Sequence, residues 1–299
     1  MKKVLFIMNP FSGQKRANKY LPEIIQMFNQ AGYEVTVHIT SGRNDATIAV
    51  ERQAADKDLV VCCGGDGTLN ETITGLLNIG ADIPIGYIPA GTTNDFAASL
   101  KLSSNILQAV QDILLGEPVP FDVGRFNQRY FSYVASFGAF TKSSYIVPQS
   151  IKNTLGHAAY VLGGISELSQ LRNEHLRLEV DGTVIEDDFL FGAICNSTSI
   201  GGILTLDPSQ VDMSDGIFEI LLVRVPRNLT ELTESITAFQ NQTYNCATMT
   251  FLSAKSVKIF ADPDMNWTLD GEREDGHEEI LVENLHRAIR LIKRVEHHV

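Results

Sequence analysis

The chain has 299 residues, and a chain of this length most often folds into about two domains. Its formal net charge is -12 and its Lys and Arg residues form no cluster, which argues against a nucleic-acid partner, because neutralising phosphates requires clustered cations. No segment approaches the roughly 20 apolar residues of a membrane-spanning helix, and the first apolar run, residues 4–8, is too short for a signal peptide. We therefore expect a soluble, cytoplasmic protein without a transmembrane segment.

The cysteines Cys62, Cys63, Cys195 and Cys246 show no metal-binding spacing. Cys62 and Cys63 are neighbours in an apolar run, so on a strand their side chains would point to opposite faces. We expect all four cysteines to be reduced residues of the core.

Short apolar runs alternate with longer amphipathic segments through the first third of the chain. The runs predict strands at residues 4–8, 33–39, 59–63 and 85–88, and the amphipathic segments predict helices at 15–30, 45–54, 68–77 and 106–115. This alternation indicates a parallel sheet with helices on both faces. The runs are almost continuously apolar, as is typical of strands buried on both sides.

The pattern changes after GEPVPFDVG, residues 116–124, where strand-like segments follow one another with turn residues between them. VDGTV, residues 180–184, is a hairpin signal. Helical segments are predicted at residues 155–171 and 229–240. With a boundary near Pro120, we predict an α/β domain of residues 1–120, followed by a mostly antiparallel, β-sandwich-like or open-barrel domain of residues 121–285.

Three loops that contain glycine follow the first, third and fourth predicted strands. They are NPFSG (residues 9–13), GGDGT (64–68) and PAGTTNDFA (89–97). Ligands of open parallel sheets bind at the carboxyl ends of the strands, where glycine allows close approach to a phosphate and helix N-termini attract anions. The loops therefore predict a polyphosphate cradle, although each is also compatible with an ordinary turn whose Asp or Thr caps the next helix. Neither the P-loop nor the GxGxxG fingerprint follows the first strand.

GGDGTLNE (residues 64–71) and PAGTTNDFA, with the early NPFSG, resemble the diacylglycerol kinase catalytic domain of the lipid kinase superfamily. LGHAAYVLGGI (155–165), DMSDGIFEILLV (212–223) and LDGE (269–272) fall where this family has corresponding motifs, so the resemblance covers nearly the whole chain. It implies a bacterial soluble lipid kinase that uses ATP and Mg²⁺. It also implies that the residues after about His286 return to the first domain.

The resemblance further implies a set of carboxylates around a cleft between the two domains: Asp66, Asp95, Asp122, Asp270 and Glu272. Phosphoryl transfer to an alcohol uses Mg²⁺ and a group that accepts the hydroxyl proton. Asp66 is expected to hold Mg²⁺ beside the nucleotide phosphates, and its alternative role is to cap the helix at residues 68–77. Asp270 or Glu272 would be the base, with preference for Asp270, although the DG pair also marks a type I′ hairpin turn.

The nucleotide-binding residues that the resemblance implies lie in or near the three loops: Asn9, Ser12, Thr40, Gly64, Gly65, Asp66, Gly67, Thr68 and Thr92. A second, structural Mg²⁺ is implied at DMSDGI, where Asp215 would supply its carboxylate and Asp212 and Ile217 backbone oxygens. The same segment is also compatible with a plain β-turn.

We therefore expect a kinase that phosphorylates a lipid hydroxyl, most simply that of diacylglycerol, to give phosphatidic acid. The lipid would be met transiently at the membrane surface, since no basic amphipathic helix is present, and a homodimer is compatible with the family. The alternatives are an NAD kinase-like kinase of a soluble alcohol and a nucleotide- or lipid-binding regulator without turnover. TTNDFA and NPFSG argue against the first, and the presence of all five carboxylates gives no support to the second.

Overall fold

A computed structural model describes residues 1–13, 15–138, 173–200, 204–206, 211–241, 243–244 and 246–294. The predicted helix at residues 155–171 and the motif at residues 155–165 lie outside these ranges. The chain divides into two compact units: unit 1 consists of Met1–Val123 and His286–Val299, and unit 2 consists of Gly124–Leu285. In the described part of the chain, no helix is long and apolar enough to cross a membrane.

Unit 1 is built on a parallel sheet. Its strands are β1 (Lys2–Met8), β2 (Tyr33–Ile39), β3 (Leu59–Gly64), β4 (Ile85–Pro89) and the C-terminal part of β17 (Glu279–Lys293). They lie in the order β2–β1–β3–β4–β17, and each pair of neighbours is parallel. Every side chain of β3 and β4 is buried, which is why these strands read as unbroken apolar runs.

The helices of unit 1 are α1 (Leu21–Gln30), α2 (Asp45–Gln53), α3 (Asp66–Asn78), α4 (Asp95–Ser99) and α5 (Ile106–Leu115). A 3₁₀ turn, Arg16–Tyr20, precedes α1, so the helix predicted at residues 15–30 is α-helical only from Leu21. Pro22 stands in the first turn of α1, where a missing N–H costs nothing. The sequence does not predict α4, which is too short to show helical periodicity.

Unit 2 is antiparallel. Its elements are β5 (Glu117–Phe126, shared with unit 1), β6 (Arg129–Phe131), β7 (Val134–Gly138), β8 (Glu174–Val180), β9 (Thr183–Cys195), β10 (Ser199–Ile200), β11 (Leu204–Thr205), β12 (Phe218–Arg224), α6 (Leu229–Asn241), β13 (Met249–Ala254), β14 (Ser256–Ala261), β15 (Trp267–Leu269) and β16 (Glu272–Glu274). The main order is β16–β15–β7–β9–β8–β14–β17, and β12 pairs with β9 and β13. The β8–β9 turn, Asp181–Gly182, has positive φ at both residues, which confirms the VDGTV hairpin.

Each unit has its own apolar core. In unit 1, Phe6, Phe28 and Val61 are among the residues packed between the sheet and its helices. In unit 2, Trp267 packs edge-on against Phe126 and Phe137, with ring centroids 5.1 and 4.9 Å apart. Aromatic pairs of this geometry add stability beyond their buried area.

The cysteines are free thiols, as predicted. Cys62, Cys63 and Cys195 are buried, whereas Cys246 is only half-buried, so it is not a full core residue.

Candidate active site

Asn9 joins the first glycine loop to the second. Its side-chain amide Nδ2 donates to Thr68 Oγ1 at 3.1 Å, and its backbone N–H donates to the Cys63 carbonyl at 3.0 Å. Its Oδ1 accepts the N–H of Phe11 at 3.0 Å and so turns the first loop. Two residues predicted to bind nucleotide, Asn9 and Thr68, are therefore in direct contact.

Gly65 and Gly91 bring the second and third loops together. A Cβ placed on Gly91 would lie 2.6 Å from the Gly65 Cα, and one on Gly65 would lie 3.2 Å from the Gly91 Cα. The first loop joins them at Gly13, where a Cβ would lie 2.6 Å from the Ala90 carbonyl oxygen. Only glycine fits where backbone fills the space of a side chain. The three loops thus meet at one end of the parallel sheet, as a polyphosphate cradle requires.

Asp66 is the first residue of α3, and its carboxylate faces the start of α4. Oδ2 accepts the N–H of Asp95 at 2.9 Å, and Oδ1 accepts the N–H of Phe96 at 3.4 Å. The Tyr87 hydroxyl donates to Oδ1 at 3.5 Å. The capping role considered for Asp66 thus exists, but the helix it caps is α4 and not its own; the cap position of α3 is Gly65, which has no side chain.

Glu71, in the same motif, acts in the same way on another helix. Its carboxylate accepts the N–H of Asn44 at 2.7 Å and the N–H of Ala46 at 3.1 Å, at the start of α2. The acidic residues of GGDGTLNE therefore hold the N-terminal ends of two other helices, α4 and α2.

Asn94 closes the third loop. Its φ of 53 places it in the left-handed region, which asparagine tolerates better than most residues. Its Oδ1 accepts the Gly91 N–H at 2.9 Å and its Nδ2 donates to the Gly91 carbonyl at 3.1 Å. Asp95, the next residue, is buried, whereas Thr92 at the loop tip is exposed.

The remaining predicted nucleotide residues lie at the same end of the sheet. Ser12 is half-buried in the first loop, and its N–H donates to the Asn9 carbonyl. Thr40 follows β2 and is buried, and its N–H donates to the Met8 carbonyl at 2.8 Å. Gly64, the last residue of β3, accepts the Ala90 N–H at 2.7 Å, and Gly67 lies half-buried in the first turn of α3.

Asp122 is fully buried on β5. Its Oδ1 accepts the N–H of Arg287 at 2.6 Å, and Arg287 has a left-handed φ of 52. A charge-assisted hydrogen bond of this kind holds an unfavourable backbone conformation in place. Asp122 thus binds the backbone of β17.

Asp270 lies in the two-residue turn between β15 and β16. Asp270 and Gly271 have φ of 49 and 79, as in a type I′ turn, but Asp270 is only 5% exposed. Its carboxylate accepts the N–H groups of three consecutive residues, Ser132, Tyr133 and Val134, at 2.5, 3.0 and 3.1 Å. The hairpin-turn interpretation and a buried, oriented carboxylate are therefore both present at this position.

Glu272 begins β16, and its side chain is 44% exposed. Its Oε2 lies 3.8 Å from Arg129 Nη2, and Arg129 also pairs with Glu274. Of the two candidate bases, Asp270 is buried and bound by backbone, whereas Glu272 lies at the surface beside a cation.

The DMSDGI segment forms consecutive turns before β12. Asp212 Oδ1 accepts the Ser214 N–H at 3.0 Å, and Asp215 Oδ1 accepts the Ile217 N–H at 2.9 Å. Glu219 follows on β12, where burial, and then the charges of Asp215 and Asp212, raise its pKa to about 8. Across the described residues, no three His, Cys, Asp or Glu side chains are grouped to hold a metal ion.

Comparison with known proteins agrees with this architecture. Residues 3–126 match the family model "Diacylglycerol kinase catalytic domain", and residues 135–293 match "YegS C-terminal NAD kinase beta sandwich-like domain". A protein named diacylglycerol kinase from Bacillus subtilis (strain 168) is 35% identical over 275 residues, 91% of this chain and 90% of that protein. One of the same name from Staphylococcus carnosus (strain TM300) is 34% identical over 273 residues, 91% of this chain and 89% of that protein.

A solved structure from Bacillus anthracis str. Sterne, described as a candidate diacylglycerol kinase, superimposes with a TM-score of 0.79 at 26% identity. The superposition covers 98% of this chain and 95% of that one.

The fold and the glycine loops define a phosphotransferase with an α/β catalytic domain and a β-sandwich-like domain, so the predicted fold class is confirmed. The chain belongs to the diacylglycerol kinase catalytic-domain family and is a lipid kinase. Membership of a kinase family implies ATP as the phosphate donor.

Three residues with clear structural roles in or near these motifs were not anticipated: Glu71, Asn94 and Arg287. Only Asn94 carried a local signal, because Asn before Asp in a glycine loop favours a left-handed turn. The others depend on contacts between distant parts of the chain.

Proposed function

We propose that this lipid kinase transfers the γ-phosphoryl group of ATP to the hydroxyl of diacylglycerol, giving phosphatidic acid and ADP, and that it requires Mg²⁺. The observation that carries the proposal is the meeting of three glycine loops at the N-terminus of α3. The lipid is inferred from the names of the curated relatives.

The nucleotide phosphates would bind at the first turn of α3. Gly65 offers no side-chain cap there, so the backbone N–H groups and the positive end of the helix are available to an anion. The hydroxyls of Ser12, Thr40 and Thr92 are the proposed further contacts. The Gly65–Gly91 contact keeps side chains away from the phosphates.

Asp66 and Asp95 are the carboxylates of unit 1 that would hold Mg²⁺ at the phosphates. Carboxylate oxygens fit this ion, which when bound neutralises the charge of the transferring phosphoryl group. Asp66 has a second task, since the same carboxylate fixes the start of α4. Asp122 is proposed as a positioning residue, because its fully buried carboxylate holds the backbone of Arg287.

Asp270 is the proposed acceptor of the substrate hydroxyl proton, with Glu272 as its neighbour in the same turn. Phosphoryl transfer needs little covalent chemistry from the protein, so the main requirement is to orient the substrate hydroxyl. Three backbone N–H groups hold the Asp270 carboxylate in one orientation, which suits that task.

The Asp212–Ile217 turn is the proposed structural Mg²⁺ site, with the Asp215 carboxylate and backbone oxygens of Asp212 and Ile217 as ligands. Such a sparse set of oxygen donors fits Mg²⁺, which keeps several water ligands. We further propose that the enzyme works in the cytoplasm, where ATP is available, touches the membrane only during turnover, and forms a homodimer.

The test is transfer of labelled γ-phosphate from ATP to a panel of detergent-dispersed lipids and to NAD, with Mg²⁺ or with chelator. Label in phosphatidic acid that depends on Mg²⁺ and is lost in Asp270→Asn supports the proposal. Asp188→Asn, an exposed carboxylate on β9, is the matched control and should keep full activity.

The outcomes separate the alternatives. Label in another lipid retains the mechanism and replaces the substrate, whereas label in NAD identifies a kinase of a soluble alcohol. ATP binding without label in any acceptor identifies a regulator without turnover.

A further inference from the structure

The residues that lead from β6 into β7 are buried before the strand itself begins. Ser132 and Tyr133 are 2% and 3% exposed, and the pairing of β7 with β9 starts at Val134, opposite Cys195. Buried backbone N–H and C=O groups need hydrogen-bond partners. The partners of residues 132–134 therefore show what holds this segment in place.

The N–H groups of this segment hold the turn that carries both candidate bases. The Asp270 carboxylate accepts the N–H groups of Ser132, Tyr133 and Val134, and the Asp270 N–H donates to the Val134 carbonyl at 2.9 Å. Glu272 stands two residues further on, at the start of β16. The position of either base thus depends on residues 132–134.

The carbonyl groups of the same segment are held by two buried residues that follow β9. Asn196 donates through its side-chain Nδ2 to the Ser132 carbonyl at 3.3 Å, and through its backbone N–H to the Tyr133 carbonyl at 2.8 Å. The Ser197 hydroxyl donates to the Tyr133 carbonyl at 3.4 Å. Asn196 is 1% exposed and Ser197 is fully buried.

These two sets of hydrogen bonds act on the same peptide groups. The Ser132 carbonyl and the Tyr133 N–H belong to one planar peptide group, and the Tyr133 carbonyl and the Val134 N–H belong to the next. A contact that fixes the carbonyl of a planar group also fixes the direction of its N–H. Asn196 therefore orients the donors that the Asp270 carboxylate accepts.

We propose that Asn196 is a positioning residue of the phosphoryl transfer, which acts through the backbone of residues 132–134 on the turn of Asp270 and Glu272. Linked hydrogen bonds strengthen one another in a buried environment, so loss of the Asn196 amide loosens the whole arrangement. The inference rests on the proposed function, in which one of these two carboxylates accepts the substrate proton. It holds for either of them.

The test uses the full chain and the lipid that the wild type labels. Asn196→Leu keeps roughly the size of the side chain and removes its donor, and Asn196→Ala removes both. Ser235→Ala is the matched control, because Ser235 of α6 is also buried in unit 2 and its hydroxyl donates to the Glu231 carbonyl at 2.7 Å. The measurements are kcat, the KM for ATP, ATP binding by calorimetry and the melting temperature, with Asp270→Asn and Glu272→Gln as reference variants.

We expect both Asn196 variants to lose at least about tenfold in kcat, since misplacing a reacting group by about 1 Å can cost about 100-fold. Their KM for ATP and their ATP affinity should be unchanged, because the proposed nucleotide contacts lie in unit 1. Ser235→Ala should melt at a lower temperature, as the Asn196 variants do, but keep the kcat of the wild type.

Two results would overturn the inference while the proposed function stands. One is a wild-type kcat in both Asn196 variants when Asp270→Asn or Glu272→Gln is inactive. The other is an equal loss of kcat in Ser235→Ala, which would make the effect one of stability alone. If neither Asp270→Asn nor Glu272→Gln loses activity, or if the wild type labels no acceptor, the proposed function fails and the role of Asn196 fails with it.

Discussion

At the scale of single residues, three of the five acidic side chains implied in catalysis, Asp66, Asp122 and Asp270, accept hydrogen bonds from backbone N–H groups. The contacts are Asp66 with Asp95 and Phe96, Asp122 with Arg287, and Asp270 with Ser132, Tyr133 and Val134. Such bonds hold a carboxylate in one orientation. A substitution at these positions therefore changes both chemistry and local structure, and each experiment must separate the two effects.

Asp270→Asn and Glu272→Gln distinguish the two candidate bases. Asp270→Asn should lower kcat by about 100-fold or more and reduce the free energy of unfolding by about 1–3 kcal/mol, because the new amide points a donor at backbone donors. Glu272→Gln should change stability by less than about 0.5 kcal/mol, as is usual for an exposed side chain. Steady-state kinetics and urea unfolding measure both. If Glu272→Gln alone loses activity, the base is Glu272.

Asp66→Asn and Asp66→Ala separate the proposed metal-binding role of Asp66 from its capping of α4. The Asn variant keeps an oxygen that can accept the Asp95 N–H, so it should unfold close to the wild type while losing about 100-fold or more in kcat. The Ala variant should lose the same activity and about 1 kcal/mol of stability in addition, since the cap is gone. An active Asn variant would show that the negative charge is not required.

At the scale of elements, the glycine loops form one packed assembly, in which Gly91 lies directly against Gly65. Gly91→Ala would place a Cβ 2.6 Å from the Gly65 Cα and 2.6 Å from Asn94 Oδ1, so the loops must move apart. We expect weaker ATP binding and a loss of about 1–3 kcal/mol of stability, as for other overpacked sites. Calorimetric titration with ATP and urea unfolding test this.

Gly42→Ala is the control for this prediction, because a Cβ at Gly42 would meet no atom within 4 Å and its φ is not positive. It should leave ATP binding and stability unchanged. Wild-type ATP affinity in Gly91→Ala would contradict the role of the loop contact.

The elements also show what the sequence could and could not predict. The buried parallel strands were predictable because strands buried on both faces have continuous apolar sequences. The glycine loops were predictable because three loops rich in glycine follow strands of the same sheet, and glycine allows close approach of backbone. The contacts that a side chain makes with distant parts of the chain could not be predicted. Asp66 caps α4 and Glu71 caps α2 because of the way the helices pack around the sheet. The short helix α4 left no periodic pattern, and the 3₁₀ turn before α1 has the composition of a helix.

At the scale of the whole molecule, the free thiols report on whether both units are folded. Burial raises the pKa of Cys63 to about 12 and also raises those of Cys62 and Cys195. Thiolate is the reactive form, so these three cysteines should not react in the native protein. We expect Ellman's reagent to detect at most the half-buried Cys246 in native conditions and all four cysteines in denaturant.

Cys246→Ser is the control for the thiol measurement and should leave no reactive thiol in the native protein. Rapid reaction of Cys62 or Cys63 in the native protein would mean that β3 opens, contrary to its complete burial.

Unit 1 is assembled from two separate parts of the chain, and this affects how the protein is made. Residues from His286 onward belong to it, Leu291 of β17 lies beside Ile85 of β4, and the buried Asp122 holds the N–H of Arg287. A ribosome delivers these residues only after all of Gly124–Leu285 has been synthesised. During translation, unit 2 can therefore fold before unit 1 is complete. Until β17 has been synthesised, one edge of β4 has no partner strand, and such an edge can aggregate or bind a chaperone.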